Sequence, residues 1–216
     1  MKETFPGTPL PIIAEVSRIV TRVVDQITGD RSDSPLLVAL ACVEALRHFK
    51  VDAQAMYGKA AWVEVLEDNT PVWAGYWHQA ITFWVTNESG ETIDLSAPVA
   101  HRQRIRTAGP ASAKTLYAPP LLWSAEIPSF YRYIPAGVAQ AELNTDSDVR
   151  KFETVLKKVS EKCRAGSALF AKADTELDFP NEPILCPDRR ILDDSRGTFR
   201  FYDRALSTRK FPTPPI

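Results

Sequence analysis

Apolar residues recur at helical spacing in two segments near the start of the chain. Between residues 10 and 28, isoleucine and valine return every three or four positions while charged residues occupy the other side, which predicts an amphipathic helix ended by Gly29. A second segment opens at Ser34 and Pro35, which suit the N-cap and the first helical position, and should end near Phe49. Its broad apolar surface is typical of a nearly buried helix.

After residue 50 the helical spacing gives way to the alternation expected of strands. Residues 62–66 are predicted as one strand, a second strand opens at His78, and a third ends around Asp94. The polar cluster at residues 87–90 lies between the last two strands and predicts a hairpin turn. His78 and Asp94 would then lie on neighbouring antiparallel strands.

The second half of the chain is rich in proline and aromatic residues and has little periodicity. Residues 96–144 are therefore predicted as loops and short elements that cover the core. Helical spacing returns near residues 145–164, where Thr145 or Asp146 would cap a helix that Gly166 ends, and a proline-rich extended tail follows.

These elements together predict a single α+β domain spanning residues 1–216. An antiparallel β-sheet would pack on the central helix that begins at Ser34, with the other helices flanking it. Residues 10–98 would form the core, and residues 99–216 a C-terminal elaboration. A chain of 216 residues is long enough to bury a hydrophobic core of this kind.

Composition narrows the classes of partner and compartment. The net charge of -1 gives no attraction toward nucleic acid. No apolar run approaches the roughly 20 residues that span a bilayer, so we expect no membrane insertion. Three widely spaced cysteines are not a disulfide framework, which favours a reduced, cytoplasmic protein. The histidines lack metal-ligand spacing and no phosphate-binding glycine loop occurs, so no metal or other cofactor is expected.

His78 and Asp94 suggest acyl-transfer chemistry, in which a histidine base activates a nucleophile and a carboxylate fixes the tautomer of that histidine. Ser34 is a candidate nucleophile because it lies at a helix entrance, although N-capping alone also explains it. Cys42 lies two turns further along, where a small buried residue is the simpler interpretation. Cys186, in a proline-flanked loop, could be exposed, and His78 taken alone could be an ordinary strand histidine.

Three short motifs frame these residues. They are residues 46–53 (Leu-Arg-His-Phe-Lys-Val-Asp-Ala), 77–80 (Trp-His-Gln-Ala) and 93–98 (Ile-Asp-Leu-Ser-Ala-Pro). Together they resemble the transglutaminase-like and papain-like cysteine-protease superfamily. The resemblance implies a core of that fold, with His78 as general base and Asp94 as its orienting acid.

The same resemblance places Pro35 where the family has its cysteine nucleophile. Proline cannot act as a nucleophile, so the resemblance implies a degenerate member that serves as a binding or scaffold module. The alternative is an active acyl hydrolase or acyltransferase that uses Ser34 or Cys42 together with His78 and Asp94.

Two further patterns leave alternatives open. The five tryptophans could line a ligand groove, although tryptophan is more often buried in the core and the sheet. Arg102, Arg104 and Arg106 alternate, so a strand there would present a cationic stripe, more often a solvated sheet edge than a phosphate site. A binding module would use its proline- and aromatic-rich C-terminal half to contact another protein.

Overall fold

The computed structural model describes residues 7–77, 80–103, 114–141, 145–169, 182–186, 191–192, 198–207 and 213–216. Its labelled helices are α1 (Leu10–Thr28), α2 (Pro35–His48), α3 (Asp146–Leu169) and α4 (Thr198–Ser207). Its strands are β1 (Ala53–Leu66), β2 (Pro71–Tyr76), β3 (Thr82–Asn87), β4 (Thr92–Asp94), β5 (Thr115–Tyr117), β6 (Leu121–Ser124), β7 (Tyr131–Val138), β8 (Ile184–Leu185) and β9 (Ile191–Leu192). The fold class is α+β, as predicted.

β1 is the longest of the described strands and joins most of the sheet. One of its edges pairs with β3 along the first half of β1 and with β2 along the second half, both antiparallel. The other edge pairs with β7 and, at its end, with β5. Beyond β3 the order continues through β4, β6, β8 and β9. Because β6 and β8 are parallel, the sheet is mixed and the prediction of a purely antiparallel sheet is wrong.

The helical layer covers one face of this sheet. α2 is the helix that packs on β1 and β3, and α1 and α3 pack on α2. Buried side chains from these three helices share one hydrophobic core with Ile93, Trp123 and Ile184 of the sheet. α2 therefore has the central position expected for the helix that begins near Ser34.

The opposite face of the sheet, called the concave face below, curls around a second hydrophobic cluster. Trp62 of β1, Leu122 of β6 and Tyr131 of β7 are buried together there, although β3 and β4 separate β1 from β6 in the sheet order. The short 3-10 helix Ala97–Val99 and the adjacent Ala100 also contribute to this cluster. Strands from both halves of the chain therefore enclose one interior.

α4 packs against the far end of β1. The hydroxyl group of Tyr202 donates a hydrogen bond of 2.8 Å to the backbone carbonyl of Val63. Tyr202 and Leu206 form a small buried cluster with Val63 and Val65 of β1. The C-terminal helix is thus attached to the same strand that organises the concave face.

The two N-terminal helices are confirmed at nearly the predicted bounds, whereas the strand predictions need correction. β1 begins at Ala53 rather than at Trp62, and β2 was not predicted at all. The next strand, β3, begins at Thr82, whereas the predicted start at His78 lies outside the described residues. The hairpin turn between β3 and β4 is confirmed by the antiparallel pairing of Val85 with Ile93.

The C-terminal half contains more regular structure than expected. Residues 96–144, predicted as loops and short elements, supply β5, β6 and the eight-residue strand β7. α3 is capped by Thr145, whose hydroxyl oxygen accepts a hydrogen bond from the backbone N–H of Asp148, as predicted. It continues past Gly166 to Leu169, so the predicted end is wrong. Residues 101–103 are helical, so Arg102 is not part of a strand, and Arg104 and Arg106 lie outside the described residues.

Candidate functional site

The middle of β1 places a polar and aromatic surface on the concave face. Trp62 and Glu64 are two residues apart on a strand, so their side chains project from the same face. In the register of the sheet, Trp62 lies opposite Ala74 of β2 on one edge and Tyr131 of β7 on the other. Tyr76 of β2 is paired with the next residue of β1 on this face, Ala60.

A partly open cavity of about 260 Å³, which we call the β1–β2 cavity, lies on this face. The described residues that line it are Trp62, Glu64, Ala74, Gly75, Tyr76, Ala100 and Gln103. The sequence left open whether any tryptophan lines a ligand groove, and Trp62 does line this cavity. Trp123 instead is buried in the helix-side core.

Glu64 is a carboxylate held in a fixed orientation within the cavity wall. Only 1% of its surface is exposed. The indole N–H of Trp62 donates to Oε1 of Glu64 at 3.1 Å, and the hydroxyl of Thr115 donates to Oε2 at 2.7 Å. Because both oxygens accept hydrogen bonds, the buried carboxylate is held in one orientation in the cavity wall.

Tyr76 forms a second polar wall of the cavity. Its hydroxyl group donates a hydrogen bond of 2.6 Å to Oε1 of Gln103. Burial, together with the negative charges of Asp94, Asp33 and Glu64, raises the pKa of Tyr76 to about 12. The phenol therefore stays protonated at neutral pH.

Gly75 allows β2 to approach β1 closely at this position. Its φ angle is +134°, a conformation that side-chain-bearing residues rarely adopt. A Cβ atom added there would lie 2.3 Å from the backbone oxygen of Ala60. The glycine thus allows the close strand pairing that sets Tyr76 in the wall of the cavity.

Asp94, a predicted site residue, lies buried at the end of β4 with 1% of its surface exposed. Its Oδ1 accepts hydrogen bonds from the backbone N–H and the hydroxyl of Ser96, both at 2.8 Å, and from the N–H of Ala97 at 3.0 Å. Its Oδ2 accepts a bond of 2.9 Å from the hydroxyl of Tyr133. Burial raises the pKa of Asp94, and these hydrogen bonds offset only part of that effect. Asp94 therefore organises the turn that leads to Ala100 of the cavity.

His78, the predicted base, lies outside the described residues. The register of the described hairpin pairs Val85 with Ile93 and Thr86 with Thr92. Extending this register by one residue places Trp84 opposite Asp94. The predicted contact between His78 and Asp94 involves a residue outside the described part of the chain, so it stays a prediction.

Ser34 occupies the N-cap position of α2, but its side chain makes no capping hydrogen bond. The prediction that its side chain caps the helix is therefore wrong. The short 3-10 helix Arg31–Asp33 directly precedes it, and the guanidinium Nε of Arg31 donates to the backbone oxygen of Leu95 at 3.0 Å. The entrance of α2 thus lies at the same end of the sheet as Asp94.

The three cysteines are buried, which confirms the simpler interpretation of Cys42 and corrects the expectation for Cys186. Cys42 is 0% exposed in the helix-side core, and burial together with the nearby Cys163 raises the pKa of its thiol. Burial likewise raises the pKa values of Cys163 and Cys186 to about 12. Cys42 is therefore not a suitable nucleophile, and the suggestion that Cys186 is exposed is wrong.

Other chemistry is limited in the part of the chain that the structure describes. Its His, Cys, Asp and Glu residues include no group of three or more placed to hold a metal ion. No helix within the same residues is long and apolar enough to cross a membrane. Trp123 and Tyr131, two of the aromatic residues expected on a protein-contact surface in the C-terminal half, are both buried.

The sequence interpretation missed the residues that line the cavity, namely Glu64, Tyr76 and Gln103. One usable signal was present. Glu64 is a charged residue within an otherwise apolar alternating segment, and it shares a strand face with Trp62. A buried acid on such a face is uncommon unless it is hydrogen-bonded, and uncommon buried acids often mark functional sites.

The chain matches no protein-family model and no curated protein. It is similar to a solved structure called "The crystal structure of genomics APC5867", with 16% identity and a TM-score of 0.39. The match covers 87% of this chain and 93% of that chain. The name of that structure indicates no activity, ligand or partner.

Proposed function

We propose that this protein is a non-catalytic binding module built on a transglutaminase-like α+β core, and that the β1–β2 cavity is its ligand site. The observation that carries the proposal is the cavity wall, where the oriented carboxylate of Glu64 lies beside the rings of Trp62 and Tyr76. Ligand sites combine apolar and aromatic walls with a few well-placed polar groups in this way.

The nucleophile positions favour binding over catalysis. Pro35 is the first residue of α2, where the family resemblance implies a cysteine, and its side chain has no nucleophilic atom. The thiolate is the reactive form of cysteine, and the raised pKa values of the buried thiols keep them protonated at neutral pH. Acyl transfer through a cysteine therefore lacks a reactive thiolate nucleophile.

The hydrogen bonds of Asp94 support the same conclusion. An acid that orients a catalytic histidine needs an oxygen directed at that histidine. Asp94 instead directs Oδ1 at Ser96 and Ala97, and Oδ2 accepts the hydroxyl of Tyr133. These contacts give the carboxylate a structural role in the turn beside the cavity.

The proposed core is supported by the placement of α2. In a transglutaminase-like fold, the entrance of the central helix meets the strands that carry histidine and aspartate at one end of the sheet. Here α2 packs on β1 and β3, and Arg31 connects its entrance to Leu95, the residue after Asp94.

One observation favours a second candidate, a serine acyl hydrolase that uses Ser34 with His78 as base. The hydroxyl of Ser34 is at the entrance of α2 but makes no capping hydrogen bond, so capping does not account for this serine. Backbone N–H groups at the same helix end could stabilise an oxyanion.

Active-site labelling of the folded full chain separates these two functions. A fluorophosphonate probe reports an activated serine, and iodoacetamide reports an accessible thiol. We expect neither probe to label the native protein above the level seen with His78→Ala or Ser34→Ala. As a positive control, iodoacetamide should label the three cysteines once the chain is unfolded in urea.

Labelling of Ser34 that disappears in His78→Ala would overturn the non-catalytic proposal and establish the serine hydrolase. Labelling that persists in His78→Ala but disappears in Ser34→Ala would also contradict the proposal, since it would show a reactive serine activated by another base. Circular dichroism of each variant verifies that the fold is intact before labelling.

A further inference from the structure

We propose that the protein has a second binding site, for a small aromatic compound that carries hydroxyl or amino groups. The site is a partly open cavity of about 620 Å³ between α4 and the loop that joins β6 to β7, called the α4 cavity below. Its described lining shares no residue with that of the β1–β2 cavity, so the two sites stand or fall separately.

The size of the α4 cavity suits a small organic molecule. Pockets for such ligands usually enclose roughly 300 to 1,000 Å³. The α4 cavity encloses about 620 Å³, whereas the β1–β2 cavity encloses about 260 Å³. Besides the β6–β7 loop, its walls include Ser124 of β6, Leu185 of β8 and Phe199 of α4. The cavity is therefore formed by segments that only the complete fold brings together.

Two phenylalanine rings give the α4 cavity an aromatic wall, and Tyr202 holds both of them. The ring of Phe130 meets that of Tyr202 edge to face with centroids 5.5 Å apart, and the centroid of Phe199 lies 6.1 Å from the same ring. Tyr202 is itself buried and hydrogen-bonded to Val63. Phe130 and Phe199 are each partly exposed, so a ligand ring can pack against them.

The β6–β7 loop extends this apolar surface with Ile127 and Pro128. Ile127 is 38% exposed. The loop is held by two hydrogen bonds, one of 3.2 Å from the backbone N–H of Glu126 to the hydroxyl of Ser124 and one of 2.9 Å from the N–H of Tyr131 to the carbonyl of Pro128. A ligand ring that covers Ile127 would remove apolar surface from water, which favours binding.

The polar part of the lining supplies hydrogen-bond acceptors. Glu126 and Asp203 contribute exposed carboxylates, and Ser124 and Ser129 contribute hydroxyl groups. An ionised carboxylate only accepts hydrogen bonds and has about four lone-pair sites, so it can receive a ligand donor even when another group already binds it. A ring that carries O–H or N–H donors therefore fits better than a ring that carries acceptors alone.

Two naphthalenes of similar shape test the proposal by equilibrium dialysis with the full chain. 2,7-Dihydroxynaphthalene carries two hydroxyl donors, whereas 2,7-dimethoxynaphthalene carries acceptors only, and both are uncharged at neutral pH. We expect the dihydroxy compound to bind at least about fivefold more tightly, because hydrogen bonds to carboxylates are stronger than those between neutral groups. Equal binding of the two compounds, or tighter binding of the dimethoxy compound, would overturn the selection of donors.

A pair of isoleucine variants locates the binding. Ile127→Gln removes apolar surface from the α4 cavity and should lower the affinity for both naphthalenes about fivefold. Ile134→Gln is the matched control, because Ile134 is 48% exposed on β7 and does not line the α4 cavity. Equal affinities in Ile127→Gln and the unmodified chain would mean that the compounds bind elsewhere, which would overturn the site.

A pair of double variants tests the acceptors. Glu126→Gln with Asp203→Asn should reduce the preference for the dihydroxy compound to about twofold or less, since neutral amides are weaker acceptors than carboxylates. Glu153→Gln with Glu161→Gln, at exposed positions of α3, should keep the full preference. An unchanged preference in the first double variant would overturn the role of the carboxylates.

Binding of neither naphthalene to the unmodified chain would overturn the second site altogether, and this measurement needs no variant. Circular dichroism verifies that each variant is folded before dialysis. The proposed function concerns the β1–β2 cavity, and the labelling experiment that tests it gives the same answer whichever result the naphthalenes give.

Discussion

At the scale of single residues, Asp94 is a buried acid whose two oxygens both accept hydrogen bonds. Three donors from Ser96 and Ala97 converge on Oδ1, and the hydroxyl of Tyr133 reaches Oδ2. The carboxylate thereby connects β4, the 3-10 helix Ala97–Val99 and β7. A buried acceptor that serves several donors costs more to remove than it contributes as a single hydrogen bond.

We therefore predict a graded loss of stability at Asp94. Asp94→Ala leaves the backbone N–H groups of Ser96 and Ala97 and the hydroxyl of Tyr133 without their acceptor, which should lower the free energy of unfolding by about 3 kcal/mol. Asp94→Asn keeps an acceptor oxygen for the turn and should cost roughly 1 kcal/mol. Urea denaturation followed by circular dichroism at neutral pH measures both losses.

Tyr133→Phe is the matched control, because it removes only the donor to Oδ2 and leaves the turn intact. Its cost should be close to that of Asp94→Asn. Equal losses of unfolding free energy for Asp94→Ala and Asp94→Asn would contradict the role assigned to Asp94 as the acceptor for the turn, since the variants differ chiefly in whether an acceptor remains.

At the scale of elements, a polar cluster joins α2 to α3. The hydroxyl of Ser160 on α3 donates to Glu44 on α2, and Nε2 of His48 lies 3.0 Å from the same hydroxyl. Arg47 forms an ion pair of 2.7 Å with Glu44. Burial alone would raise the pKa of Glu44, but the hydrogen bonds from Ser160 and Arg47 and the charges of Arg47 and His48 lower it below its ordinary value.

This lowered pKa predicts the direction of a pH effect on the α2–α3 contact. The folded chain binds a proton at Glu44 less readily than the unfolded chain, so the stabilisation is present above the ordinary value of 4.5 and is lost as pH falls through the folded-state pKa. Urea midpoints measured from neutral pH to below 4.5 should therefore fall less steeply in Glu44→Gln than in the unmodified chain.

Glu161→Gln, at an exposed position on α3, provides the comparison for that measurement. It should follow the pH dependence of the unmodified chain. Parallel curves for Glu44→Gln and the unmodified chain would show that the cluster contributes nothing to acid sensitivity.

The elements also show how far the sequence could predict the fold. α1 and α2 were predicted because their apolar spacing is long and regular, and their bounds agree closely with Leu10–Thr28 and Pro35–His48. β2 and β7 were missed because each contains a proline, Pro71 and Pro135, which usually marks a loop. Proline is tolerated at the start of a strand and on edge strands, and β7 is paired along only one edge among the described strands.

The candidate site was predictable only in part, for a related reason. Asp94 was singled out by a motif, and the structure does bring it to the end of the sheet where α2 begins. Glu64 and Tyr76 lie on the consecutive paired strands β1 and β2, whereas Gln103 is far from both in sequence and follows the 3-10 helix after β4. No local pattern encodes the position of Gln103 at the cavity, because it depends on a contact between distant segments.

At the scale of the whole molecule, both halves of the chain build one interior. β7 pairs along β1, and β6 lies between β4 and β8, so strands after residue 98 are interleaved with strands before it. α3 packs on α1 and α2, and its residues Val155 and Val159 are 0% exposed in their core. The division into a core at residues 10–98 and an elaboration at residues 99–216 therefore does not follow the packing of the fold.

We accordingly predict that residues 7–98 do not fold alone. The fragment would expose the edge of β1 that pairs with β7, the edge of β4 that pairs with β6, and the face of α1 and α2 that α3 covers. A domain of fewer than about 100 residues has little stability to lose, so removing these contacts should abolish cooperative unfolding. The measurement is a urea titration of the fragment followed by tryptophan fluorescence, beside a 7–207 chain that retains α4 and should unfold cooperatively.

A sigmoidal transition of the 7–98 fragment, with a midpoint near that of the longer chain, would show that the first half is an autonomous core after all. The absence of a transition would mean that the β1–β2 cavity forms only when the C-terminal strands have paired with β1 and β4.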